Sequence, residues 1–317
     1  MSAPRIVFMG TPPFAVSSLE ALHAAGIPIA AVVTAPDRPA GRGRQLRASA
    51  VKEAAQRLGL RVLQPERLRD EGFLEELRAC GADLFVVVAF RMLPEVVWRM
   101  PRLGTINLHA SLLPQYRGAA PINRAVMDGA HSTGLTTFLL QQAIDTGDVL
   151  LQETLTIGAD ETAGELHDRM ASLGAVLLVR TVNGLANGAL APTHQDDLST
   201  GAALREAPKL SPAICRIDWS WPAVKVHDHV RGLSPVPGAW TEQVRADGTS
   251  EHFKVLRTER TGLAANADPG TVLQDGTDLL VACGDGVLRL VDVQPEGRRR
   301  MAGAAFRAGL REAIRLK

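Results

Sequence analysis

The sequence predicts an α/β protein, with a parallel sheet flanked by helices and then a small β-barrel or sandwich. Three observations carry this. Up to about residue 110, short apolar runs alternate with helix-period segments, the pattern of parallel strands joined by crossover helices. Asp83–Ala89, with Leu-Phe-Val-Val-Val inside, is continuously apolar, as a strand buried on both faces must be. Beyond about residue 250, short strand-like runs follow one another with Gly and Asp between them.

Taken in order, Arg5–Met9 reads as a strand ending at Gly10, and Phe14–Ala25 has the spacing of an amphipathic helix closing at Gly26. Ile29–Ala35 is a second apolar run. Ser49–Leu58 reads as helix, Arg61–Leu63 as a short strand, Leu68–Ala79 as helix and Thr105–His109 as a strand. Gly134–Gln141 and Val149–Ile157 then read as an antiparallel pair, and Thr162–Leu185 as a long helix with Thr162 and Glu165 as its capping box. Ala191–Ser211, polar and broken by Pro192 and Pro208, reads as a linker. The later strand-like runs are Phe253–Arg257, Gly270–Leu273, Leu279–Ala282 and Val287–Val293.

A chain of 317 residues fits one large domain or two ordinary ones, and 46% hydrophobic against 22% charged residues excludes disorder and collagen-like folds. Aromatics are only 4%, with Tyr116 the lone tyrosine, so a broad stacking platform for single-stranded bases is not expected. Cys80, Cys215 and Cys283 are odd in number and far apart, which points to a reducing compartment. The N-terminal apolar run, Ile6 to Met9, is shorter than the roughly 7–15 residues of a secretory h-region. Nor does any segment approach the roughly 18 apolar residues of a membrane span. A cytoplasmic protein without membrane contact is expected.

Net charge is +1, but it is unevenly placed. Residues 208–317 hold 16 Lys/Arg against 13 Asp/Glu, and 298–317 hold seven basic residues against Glu312 alone. Such a terminus suits a polyanionic partner or, equally, a solvated basic helix.

Gly10-Thr-Pro-Pro follows the first strand, yet no G-x-G-x-x-G or phosphate-loop pattern is present, and Pro12 and Pro13 lack backbone donors. Pro36-Asp-Arg-Pro-Ala-Gly-Arg-Gly-Arg44 is a loop with three guanidinium forks, Arg38, Arg42 and Arg44, suited to phosphates or simply to solvent. On the Thr105–His109 strand, residues two apart face the same way, so Asn107 and His109 point together at a strand end where α/β folds place ligands. An imidazole exchanges protons near neutral pH and an amide donates to an oxyanion. Asp145-Thr-Gly-Asp148 reads first as a turn; one such motif does not make an aspartic protease. There is no His-Glu-x-x-His, no paired cysteine motif and no Gly-x-Ser-x-Gly elbow, so neither a metal site nor a serine hydrolase is expected.

Asn107-x-His109, Ser111-Leu-Leu-Pro114, Arg117-Gly-Ala-Ala-Pro121 and Asp145-Thr-Gly-Asp148, in this order and spacing, resemble the folate-dependent formyltransferases. Arg5-Ile-Val-Phe-Met-Gly-Thr-Pro12, the Pro36–Gly43 loop, Lys209-Leu-Ser211 and Arg216-Ile-Asp-Trp219 narrow this to the branch whose acceptor is aminoacylated initiator tRNA. The resemblance runs from about residue 5 to 317. It implies a Rossmann-like catalytic domain over residues 1–190, a linker over 191–210, and an OB-like tRNA-binding domain over 211–317. It implies transfer of the formyl group of 10-formyltetrahydrofolate, a co-substrate, to the α-amine of methionine on initiator Met-tRNA, by a monomer without a metal. Asn107, His109 and Asp145 match the catalytic triple, and Ser111, Leu112, Leu113 and Pro114 the folate-contacting loop. Arg42, with its neighbours Arg38 and Arg44, matches the basic loop that approaches the acceptor stem, and Lys209 a linker lysine that contacts tRNA. Val88-Ala-Phe-Arg-Met-Leu-Pro94 departs from the family by lacking a glycine, being one residue shorter, and carrying Phe90 where Tyr is common.

Sugar-nucleotide N-formyltransferases share the triple and the co-substrate, but are not expected to carry both the arginine-rich loop and a barrel with a basic end. Glycinamide-ribonucleotide transformylases are single domains of about 200 residues, in the usual domain size class. An RNA-binding module with a decayed enzyme domain need not retain the triple. Within the expected chemistry, Asn107 donates to the oxyanion, His109 is a second donor or proton shuttle, and Asp145 orients His109.

Overall fold

The computed structural model describes residues 3–40, 45–198, 201, 203–273, 276–310 and 313–317. It separates into two units: Met1–Gly118, Gly134–Leu155 and His167–Arg205 form the first, and Ala119–Thr133, Thr156–Leu166 and Glu206–Lys317 the second.

The first unit is built on strands β1 (Ile6–Gly10), β2 (Ile29–Val33), β3 (Val62–Leu63), β4 (Leu84–Val88), β5 (Thr105–His109), β6 (Ser132–Leu139) and β7 (Val149–Thr156), in the sheet order β7-β6-β5-β4-β1-β2-β3. The five strands from β5 to β3 pair parallel, and β6 runs antiparallel to β5. Every residue of β1 and β4 is buried. Helices cover both faces of such a sheet, so the two strands show no polar alternation.

Two of the connecting helices open where a side chain satisfies one of their first free amides. Ser49 Oγ accepts from Lys52 N–H at 3.0 Å to open Ala50–Arg57, and Asp70 Oδ1 accepts from Phe73 N–H at 3.2 Å to open Glu71–Ala79. That second cap corrects the expected start at Leu68. Leu68 is buried against the core ahead of the helix, so its apolar character reports packing and not helical periodicity. In the long helix Ala163–Ala186 both halves of the capping box are made: Glu165 Oε2 accepts from Thr162 N–H at 2.8 Å, and Thr162 Oγ1 accepts from Glu165 N–H at 3.2 Å.

The second unit holds β8 (Ala239–Val244), β9 (Ser250–Ala264), β10 (Leu280–Ala282), β11 (Gly286–Pro295), β12 (Met301–Ala302) and β13 (Arg315–Leu316). The order is β10-β11-β9-β8-β13, with β12 on β11, and the pairing is antiparallel. Register shifts along β9 between Val255 and Ala264 bend the sheet, as extra residues on one strand do. Thr271 bridges to Arg315 on one edge strand and Val272 to Val281 on the other, so the curled sheet approaches closure as an OB-like half-barrel. Phe253, Val255, Leu288 and Leu290 fill it.

Helix Ala223–Leu233 packs into that core and is not expected from the sequence. Val226, Val230 and Leu233 are buried at helical spacing, but so are His227, His229 and Arg231. A helix buried on several sides with polar residues among its covered positions has no clean apolar stripe to read.

Candidate active site

The site begins with β5. Asn107 and His109 extend from the same face of this strand, opposite Phe138 and Thr136 of β6. His109 is 6% exposed. Its Nε2 donates to the Tyr116 carbonyl at 2.9 Å, and since a carbonyl only accepts, Nε2 carries a proton. Nδ1 is therefore the nitrogen that gains or loses one. It lies 3.7 Å from Asp145 Oδ2, within ion-pair range but beyond a hydrogen bond. Among the described residues, no protein group engages the half-buried Asn107 amide.

Asp145 stands in a left-handed conformation, φ 55°, which side-chain-bearing residues adopt only when their surroundings enforce it. Those surroundings are visible. Its Oδ2 accepts from Gly118 N–H at 3.0 Å, and its own carbonyl accepts from Gln195 Nε2 at 2.9 Å. The same Gln195 amide reaches the Gly147 carbonyl at 2.8 Å, while its Oε1 accepts from Arg117 Nε and Nη2 at 3.1 and 2.6 Å. Two residues on, a Cβ at Gly147 would lie 1.6 Å from the Leu139 carbonyl oxygen, so Asp145-Thr-Gly-Asp148 can turn against β6 only with glycine there.

Gln195 carries no signal in the sequence. It sits in a polar stretch that reads as linker, yet it is 1% exposed at the start of the 3-10 turn Gln195–Leu198. A lone glutamine among His, Asp and Asp has no periodic pattern to mark it. Tyr116 escapes sequence reasoning for a related reason: it acts through its backbone, held at φ 57° while its hydroxyl accepts from Arg205 at 3.0 Å.

The loop after β5 is tightly bound within the first unit. Ser111 is fully buried and donates to the Gln115 carbonyl at 2.6 Å. Leu113 N–H donates to Thr136 Oγ1 at 3.1 Å, and its carbonyl accepts from Gln152 at 2.9 Å. Leu113 packs on Phe138 and Val149, Pro114 is buried, and Leu112 is half-buried over Gly134.

Arg42 and Arg44 lie outside the described residues. Arg38 is exposed and stands across from Arg47 in the register of a short hairpin. The neighbouring acid does not neutralise them: Asp37 is taken by Lys52 Nζ at 2.5 Å and Gln64 at 2.8 Å, which hold its carboxyl below the ordinary range. Arg91, from the segment that departs from the family, donates to the carbonyls of Pro65 and Glu66. Partial burial, and then the Arg38 charge, lower its affinity for a proton. Lys209 is exposed in the second unit. No group of three His, Cys, Asp or Glu side chains able to hold a metal occurs among the described residues, and none of the helices described is long and apolar enough to cross a membrane.

An amide and an imidazole thus share one face at the end of a parallel strand, with a carboxylate 3.7 Å from the imidazole. Residues 4–182 match the Formyl transferase family and residues 209–311 the Formyl transferase C-terminal domain; the chain belongs to this family. The methionyl-tRNA formyltransferase of Bacteroides thetaiotaomicron is 47% identical over 308 residues, covering 97% of this chain and 96% of that protein. That of Parabacteroides distasonis is 50% identical over 311 residues, with 97% and 96% covered. Among solved structures, the sugar 3N-formyl transferase WlaRD aligns at TM-score 0.64 and 14% identity, over 94% of this chain and all of WlaRD. HypX from Aquifex aeolicus, in complex with tetrahydrofolic acid, aligns at TM-score 0.62 and 17% identity over 96% of this chain and 47% of HypX. The chain thus spans about half the length of HypX, and these structural likenesses speak for the fold alone.

Proposed function

We propose that the chain transfers the formyl group of 10-formyltetrahydrofolate to the α-amine of methionine on initiator Met-tRNA. The observation that carries this reading is the meeting of His109 and Asp145, 3.7 Å apart, beside the unengaged amide of Asn107. Formyl transfer between two nitrogens needs a donor to the oxygen that becomes anionic, and a group that moves a proton from the incoming amine to the departing nitrogen. Asn107 supplies the first. Because Nε2 of His109 is committed to the Tyr116 carbonyl, Nδ1 performs the second: it takes the amine proton and returns it to N10 of the folate as the C–N bond breaks. Asp145 holds the imidazolium formed between those steps.

Ser111, Leu112, Leu113 and Pro114 form the wall on which the folate rests. Since Ser111 Oγ and the Leu113 backbone are already bonded within the protein, that wall acts through shape and not through new hydrogen bonds. Arg38, Arg42 and Arg44 of the arginine-rich stretch, and Lys209, bind tRNA phosphates. In this reading residues 1–190 perform catalysis, 191–210 link, and 211–317 hold the tRNA, in a cytoplasmic monomer. The test mixes the protein with 10-formyltetrahydrofolate and Met-tRNA while folate absorbance is followed. Turnover with Met-tRNA and none with an aminosugar nucleotide is expected; the reverse preference overturns the acceptor assignment.

A further inference from the structure

The second unit holds a cavity of about 890 Å³ that formyl transfer does not use. Helix Ala223–Leu233 contributes His229, which is 3% exposed and whose Nε2 has no hydrogen-bond partner among the described residues. Helix Pro121–Met127 contributes Arg124, whose Nε is likewise buried and unpartnered. An unpartnered arginine N–H and an unpartnered imidazole nitrogen lining one cavity are costly to bury unless a ligand meets them.

The rest of the lining says what kind of ligand. Arg216 and Arg315 stand exposed at the rim, each also reaching a carboxylate, Glu242 at 3.4 Å and Asp268 at 3.9 Å, and Lys317 adds an ammonium. The acid in the lining, Asp218, is committed to Ser220, accepting from its hydroxyl at 2.5 Å and its N–H at 3.0 Å. Arginine Nε and Nη together form the fork that suits phosphate. One wall is aromatic: Trp221 is half-buried, packs edge-on to His229 at 5.3 Å between ring centroids, and carries the Lys225 ammonium 4.0 Å from its own. The volume lies in the range of small-molecule sites, about 300–1,000 Å³, far larger than an inorganic anion needs.

We propose that this cavity binds a nucleotide, its phosphate against Arg124 and the rim arginines and its base along Trp221. A free mononucleotide and an unpaired nucleotide of an RNA chain present the same chemistry. The proposal goes beyond the transfer reaction and does not depend on it, because binding is read with no formyl donor present.

The test is calorimetric titration of the full chain with AMP, GMP, CMP and UMP, each up to about 10 mM so that millimolar affinities are read. Saturable one-to-one binding of at least one of them is expected, weakened about tenfold by Arg124→Gln, in line with the loss of one charge-assisted hydrogen bond. Trp221→Leu is expected to weaken the nucleotide but not inorganic phosphate. Should Arg124→Gln fail to fold, the exposed Arg216→Gln and Arg315→Gln together take its place. If tRNA competes with the bound mononucleotide, the source is RNA; if not, a free nucleotide is the ligand. Absence of saturable binding, or binding indifferent to all these substitutions, overturns the proposal.

Discussion

Nε2 of His109 lies 2.9 Å from the carbonyl oxygen of Tyr116, so the proton on that nitrogen is held by the backbone and only Nδ1 is free to work. Tyr116 is itself fixed, its N–H donating to the Arg205 carbonyl at 2.7 Å. The imidazole is thereby aimed before any substrate arrives, which is what proton transfer at a defined geometry requires.

Among the described residues none engages the Asn107 amide, so on the proposed mechanism its removal disturbs little besides the transition state. Asn107→Ala is expected to lower kcat by about 10²–10³ with a much smaller change in KM, the mark of a donor that acts as charge develops. Steady-state kinetics with both substrates check this. An unchanged kcat removes Asn107 from the chemistry.

Gln195 ties Asp145, Gly147 and Arg117 together from a buried position. Gln195→Leu leaves the carbonyls of Asp145 and Gly147 without a donor, at a cost of about 1–3 kcal/mol each when buried. Loss of stability by urea unfolding, together with a fall in kcat larger than the change in KM, is expected. A variant with normal kcat and reduced stability would make Gln195 merely structural.

Arg38 and Arg47 face each other across a hairpin, and the adjacent Asp37 is occupied elsewhere. Replacing both by alanine is expected to raise KM for tRNA. It should also reduce the slope of log affinity against log salt by roughly 0.7–0.9 for each phosphate the two arginines neutralise. Folate KM is the control. Unaltered tRNA kinetics would relocate the RNA-binding surface.

Acid should weaken the second unit. Burial, reinforced by the Arg124 charge, pushes His229 from 6.5 down to about 4, and burial also lowers His227. Between those values the unfolded chain binds a proton that the folded chain refuses, so stability is complete above about pH 6.5 and falls as the pH drops toward 4. For His229 the loss is on the order of 3 kcal/mol. Urea unfolding at several pH values should give a shallower acid slope for His229→Phe than for the parent, and identical slopes would contradict the assignment.

Much of the fold is legible because it is written in burial. The wholly apolar strands β1 and β4 and the Thr162–Glu165 box announce themselves through residue type alone. So does the pairing of Asn107 with His109, which needs only the two-residue period of a strand. What stays hidden depends on tertiary packing. The helix at Ala223–Leu233 buries its histidines, Leu68 is apolar for packing reasons, and Gln195 and Tyr116 matter through hydrogen bonds to backbone remote in sequence.

In the proposed mechanism His109 and Asp145 act as one proton-handling pair. A double-mutant cycle on the rate of formyl transfer to Met-tRNA, with His109→Ala, Asp145→Asn and both together, tests it most directly. Groups that work as a unit are strongly non-additive, so the double variant should be no slower than His109→Ala alone. Losses that multiply, with the double variant slower by the product of the two, would contradict the account.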